Sequence, residues 1–160
     1  GTVTGVDFSI EMAMKAHRNF PFANVNVVDA DATALPFADN SFDLIIGISI
    51  FTHLREPDQN AWLTELKRVI KPGGLIMVSY HGPTVMGLVN AKEPLLQRIE
   101  TEGFGITGAN KQVTDLDEDD YYINVSHSRE YIEKVWSQHL EIVDIVPALL
   151  GRQDMIVMKG

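Results

Sequence analysis

Two short acidic stretches, "GVDFS" (Gly5 to Ser9) and "DADATALPF" (Asp29 to Phe37), each follow a β-branched apolar run, and that position gives them a chemistry. A carboxylate only accepts hydrogen bonds, so one acid just beyond a strand can take both hydrogens of a vicinal diol such as a ribose. Asp7 is such an acid, and since Ser9 already supplies a helix cap, it reads as a ligand group rather than a turn acid. Asp31, one strand over, could accept from the amino group of an adenine while Ala32 offers its backbone N–H to a ring nitrogen. Phe8 and Met12 could wall the flat base. A second set of residues can carry protons: His53, Tyr80, His81, Tyr121, Tyr122 and His127. His81, directly beyond a strand, is the best-placed base. His53 reads first as a residue that caps or packs its loop, and Tyr80 as one that shapes a pocket. Tyr121 and Tyr122 read as core aromatics, and His127, beside a helix cap, as a surface imidazole.

The elements that must position these groups follow from hydrophobic period and punctuation. "TVTGVDF" alternates and reads as a strand, then Ser9 caps a helix that ends near Asn19, ahead of Pro21. "VNVV" (Val25 to Val28) is a second strand. "FDLIIGIS" (Phe42 to Ser49) is a third, apolar throughout, as for a central parallel strand covered on both faces. Asp58 is placed to cap "QNAWLTELKRVI", whose Trp62, Leu66, Val69 and Ile70 share one stripe while Glu65, Lys67 and Arg68 lie off it. "KPGG" stops that helix, with Gly73 or Gly74 left-handed, and "LIMVSYH" is the fourth strand. Further on, "EPLLQRIETEG" reads as a helix, "TDLDEDD" as a solvated acidic loop, and "SREYIEKVWSQHL" as a helix capped by Ser128 with Trp136 in its core. "EIVDIVPAL" and "RQDMIVMKG" form a closing antiparallel pair. The result is a Rossmann-like α/β fold: a doubly wound, mostly parallel sheet with a C-terminal antiparallel hairpin, in which ligands sit beyond the carboxyl ends of the strands.

The 160 residues suit one domain, and 45% hydrophobic content suits a globular one. A net charge of −9 without a Lys/Arg cluster argues against nucleic acid as a partner. Without cysteine there is no thiolate chemistry, and no signal peptide or membrane-length apolar run is visible, so the cytoplasm is the expected compartment. The acidic "DLDEDD" lacks the Gly and terminal Glu of a calcium loop, and no metal site is expected.

The run "DATALPFADNSFDLII", then "FTHL", then "WLTELKRVIKPGGLIMVS", resembles the class I S-adenosylmethionine-dependent methyltransferases of the small-molecule, type 11-like kind. The resemblance is strong from Gly5 to about Ser79, and "GRQDMIVMKG" is similar to the family's last hairpin strand. It implies that Asp7 binds the cofactor's ribose, that Asp31 and Ala32 contact adenine, and that Gly47, Ile48 and Ser49 run past the methionine portion. Leu35 and Phe37 would seat the loop in the core. The family's Gly-rich motif, "D.G.G.G", should precede Gly1, so residues 1–160 are expected to form a single, N-terminally incomplete domain without the first strand, whose place would be between the strands ending at Asp7 and Ser49. Residues 82–139 would form the variable, substrate-side region. The implied cofactor is S-adenosylmethionine, leaving as S-adenosylhomocysteine; the implied acceptor is a small molecule, with homodimerisation possible through the open sheet. A nicotinamide-dependent oxidoreductase, which also grips ribose with an acid after a strand, is the alternative among enzymes, and a catalytically silent binding domain the alternative outside them.

Overall fold

The computed structural model describes residues 1–28, 33–88, 93–109, 123–149 and 151–160. The chain divides into two compact units, residues 1–37 and 38–160. The first carries β1 (Thr4–Asp7), α1 (Ile10–Asn19) and β2 (Asn24–Val27). β1 and β2 run parallel, with Asp7 opposite Val27, and so finish at the same level. Ser9 caps α1 as expected, its Oγ accepting from the Met12 amide at 3.3 Å. Leu35 and Phe37 are only half-buried, so the "LPF" segment rests on its unit rather than plugging a core.

The second unit is built on a four-stranded sheet of order β3 (Phe42–Gly47), β4 (Ile70–Tyr80), β8 (Asp154–Lys159) and β7 (Glu141–Val146). β3 and β4 are parallel, and β8 runs antiparallel to both β4 and β7. α2 (Glu56–Val69) and α5 (Arg129–Val135) bring Leu63, Leu66, Ile132 and Tyr131 into one core with Ile76, Val78, Ile156 and Met158 of the sheet. Trp136, in a 3-10 turn that extends α5 over Trp136–Gln138, is fully buried there, as its spacing predicts. α3 (Pro83–Leu88) and α4 (Glu93–Glu102) follow β4, and β5 (Phe104–Ala109) pairs antiparallel with β6 (Ile123–His127).

The α/β class and the closing hairpin stand. The proportion of pairings differs: among the described residues two are parallel and three antiparallel. The β5–β6 ladder supplies the difference, because "FGITGA" is too glycine-rich to announce a strand. Nor is β3 covered on both faces. It is the outer strand of its four-stranded sheet, and Leu44 and Ile46 are 50% and 57% exposed. α2 is capped by Arg55 without a side-chain bond, not by Asp58, which lies in the first turn behind Pro57. Glu65 is buried rather than solvated, since the Arg68 guanidinium donates to both its oxygens, at 2.8 and 2.6 Å. Gly73 takes the left-handed conformation of "KPGG" (φ 79°), inside the long strand β4. The acidic "TDLDEDD" run lies outside the described residues, as do Tyr121 and Tyr122. No helix among the described residues is long and apolar enough to cross a membrane.

Candidate active site

In the first unit the structure puts Asp7 at the carboxyl end of β1. One carboxylate oxygen, Oδ1, accepts from the Ser9 amide at 2.8 Å, which makes Asp7 a turn acid as well and fixes its rotamer. Oδ2 has no hydrogen-bond partner among the described residues. Phe8 and Met12 are exposed beside it on the strand end and first helical turn. Asp31 and Ala32 lie outside the described residues; β2 carries the chain to Val27, opposite Asp7, just before them. An open concavity of about 530 Å³ in this unit is lined by Thr4, His17, Asn24 and Phe37 among others. It sits at the opposite, amino-terminal end of these strands from Asp7, away from where parallel sheets place their chemistry.

In the second unit, β6 lies along the carboxyl ends of β3 and β4 and organises their histidines. Its backbone alternates partners. The Val125 amide donates to the Thr52 carbonyl (3.0 Å), and the His127 amide to the His81 carbonyl (2.8 Å). In return, the His53 ring meets the Ile123 carbonyl through Nδ1 at 2.9 Å, and the His81 ring meets the Val125 carbonyl through Nδ1 at 3.1 Å. A carbonyl can only accept, so each Nδ1 carries a proton, and in the neutral His81 ring Nε2 holds the lone pair. The two rings lie edge to face, their centroids 6.5 Å apart. Burial lowers the His81 pKa below its ordinary value; the Val125 carbonyl opposes this and the neighbouring His53 adds to it. At neutral pH His81 is an uncharged imidazole with its basic nitrogen set by the backbone.

The two other described proton-carrying candidates are not on this rim. His127 is fully buried in β6, not a surface imidazole. Its Nε2 bonds Gln59 Oε1 at 2.9 Å, and Gln59 in turn donates through Nε2 to the carbonyls of Phe51 (3.1 Å) and Leu54 (2.9 Å). Because the Gln59 amide nitrogen is committed to carbonyls, its oxygen must accept, and His127 must donate. Burial pushes the His127 pKa down to about 3, with His81 adding to it. Tyr80 is fully buried among Trp136 and His127, and burial, with Asp154 nearby, pushes its phenol well above the ordinary range. Neither is a solvent-side base. The hydrophobic patterning missed the burial of His127 because β6 was not read as a strand.

Sequence reasoning also missed the polar residues that hold the end of β3. Ile48 is exposed, and Ser49 is in the left-handed region at φ 59°. The Ser49 amide donates to Ser79 Oγ at 2.7 Å, and Gln153 Nε2 donates to Ser49 Oγ at 2.8 Å. No local signal connects positions 49, 79 and 153; only the strand order brings them together. A Cβ at Gly82, after β4, would run into the Asp154 carboxylate and fall 2.7 Å from the Tyr80 ring, so a side chain there requires those groups to shift.

Residues 1–74 match the family described as "Methyltransferase domain". A demethylmenaquinone methyltransferase of Desulfitobacterium hafniense (strain Y51) is 40% identical over 93 residues, 54% of this chain and 36% of that protein. The chain thus spans about a third of the length of the curated relatives it matches. Among solved structures, a SAM-dependent methyltransferase from Methanosarcina mazei superposes with a TM-score of 0.65 over 99% of this chain and 81% of that one, at 18% identity. The 1,6-didemethyltoxoflavin-N1-methyltransferase of Burkholderia thailandensis, solved with 1,6-didemethyltoxoflavin and S-adenosylhomocysteine, gives 0.62 over 98% and 60%, at 13% identity.

Proposed function

We propose that the protein is a class I S-adenosylmethionine-dependent methyltransferase that transfers a methyl group to a small-molecule acceptor; the methyltransferase-domain match over residues 1–74 and the shared fold support this reading. The observation that carries this reading is the methyltransferase-domain match over the segment that holds Asp7, "DATALPF" and "SFD" in order. Asp7 accepts from the ribose hydroxyls through its carboxylate, Phe8 and Met12 flank the base, Asp31 and Ala32 address adenine, and Ile48 and Ser49 face the methionine portion.

The sulfonium activates the methyl group it carries. What this chain's residues add is alignment and, for an acceptor that loses a proton, a base. His81 fills that role: its Nε2 lone pair is fixed by the Nδ1 bond to Val125, and its lowered pKa keeps it unprotonated at neutral pH. His53 positions it from the adjoining loop. His81→Ala is expected to lower kcat by about 10²-fold or more with little change in S-adenosylmethionine KM. In the wild type, kcat/KM should fall in acid only below the ordinary histidine pKa of about 6.5, because the active form is the neutral one and burial lowers the point at which it is lost. Steady-state kinetics against pH checks both.

The test of the reading is calorimetric titration of the intact protein with S-adenosylhomocysteine and, separately, with NADH. Binding of the first supports methyl transfer. Binding of NADH alone would assign the fold to hydride transfer, and binding of neither to a silent domain.

A further inference from the structure

Ser49 is a non-glycine residue in the left-handed region at the end of β3, and its backbone is fixed by partners from two distant segments. Such conformations persist only where the surroundings over-determine them, and they gather at ligand sites. The amide partner, Ser79 Oγ, is fully buried at the end of β4, and its bond of 2.7 Å spans 30 residues of chain. The hydroxyl partner, Gln153, reaches from the turn between β7 and β8 across 104 residues. That turn is itself braced: Ala148, also left-handed at φ 53°, donates its amide to buried Asp154 Oδ1 at 2.9 Å. Two left-handed residues, each with its amide tied to a side-chain oxygen, are thus joined through Gln153.

We propose that Ser79 and Gln153 are positioning residues that lock the Ile48–Ser49–Ile50 backbone into a left-handed turn and so preorganise the peptide groups that meet the methionyl portion of the cofactor. The lock rests on the cofactor reading above. Without it, Ser49 relaxes toward negative φ, and the ligand must restore the turn when it binds.

Glycine supplies the test, because it adopts positive φ without help. The intact protein is compared as wild type, Ser79→Ala, Ser49→Gly and the double variant, by calorimetry with S-adenosylhomocysteine and by amide hydrogen exchange at position 49 without ligand. Ser79→Ala is expected to weaken binding roughly tenfold and to speed exchange of the residue 49 amide. In the Ser49→Gly background the same change should weaken binding less than about threefold. Gln153→Ala should act like Ser79→Ala, more mildly. Equal loss on Ser79→Ala in both backgrounds, or exchange at residue 49 unchanged by it, would overturn the lock. Failure of the wild type to bind S-adenosylhomocysteine would overturn the cofactor reading and the ligand role of the lock with it, while exchange still reports whether the lock exists.

Discussion

Replacing Gln59 with leucine is expected to destabilise the protein by about 3–5 kcal/mol. The side chains are similar in size, so the loss is not one of volume. Gln59, itself 1% exposed, satisfies the Phe51 and Leu54 carbonyls and the His127 ring N–H. Leucine leaves these groups without partners, and each buried orphan costs about 1–3 kcal/mol. The residue also links the start of α2 to β6, the strand that orients His53 and His81. Urea unfolding followed by circular dichroism measures the loss; a change below about 1 kcal/mol would mean that Gln59 is not the junction described here.

Acid should weaken the fold steeply for a related reason. His127 is neutral in the folded protein, with a pKa pushed to about 3 by burial, against about 6.5 in an unfolded chain. Between these values only the unfolded state gains the proton. Stability is therefore intact above about pH 6.5 and falls as pH drops, by up to about 1.4 kcal/mol per pH unit from this residue. His81 and His139 are lowered too and add to the same slope. Urea midpoints at pH 7, 6, 5 and 4 should decline progressively, and His127→Phe, less stable at pH 7, should show a shallower decline. A parallel decline in the two proteins would remove His127 as the main source.

The parts of the fold that were legible are those where one local signal decided an element. Ser9 and Ser128 cap helices where their residue type predicts, and "KPGG" places its left-handed glycine at Gly73. The parallel pairs β1–β2 and β3–β4 followed from apolar runs separated by a helical stretch. What was not legible depends on pairing across the chain. β6 alternates over only four residues, "INVS", too short a run to announce a strand without its β5 partner, so His127 looked like a cap-side surface residue when it is a core one. Glu65 looked solvated on a helical wheel, and its bidentate bond to Arg68 compensates its burial. The apolar character of β3 predicted two covered faces because composition records what a strand buries, not which neighbour does it. The places of Asp7, His53 and His81 after strands were legible, whereas the bonds of Ser79 and Gln153 to Ser49 were not.

The central claim is that the Asp7 carboxylate, held in place by the Ser9 amide, grips the ribose of S-adenosylmethionine. Calorimetric titration of the intact protein and its Asp7→Ala variant with S-adenosylhomocysteine tests it most directly. Loss of charged hydrogen bonds should weaken the variant by roughly 1.5–3 kcal/mol, about 10- to 150-fold, with its unfolding transition still cooperative. Equal affinity in the two proteins would contradict the account.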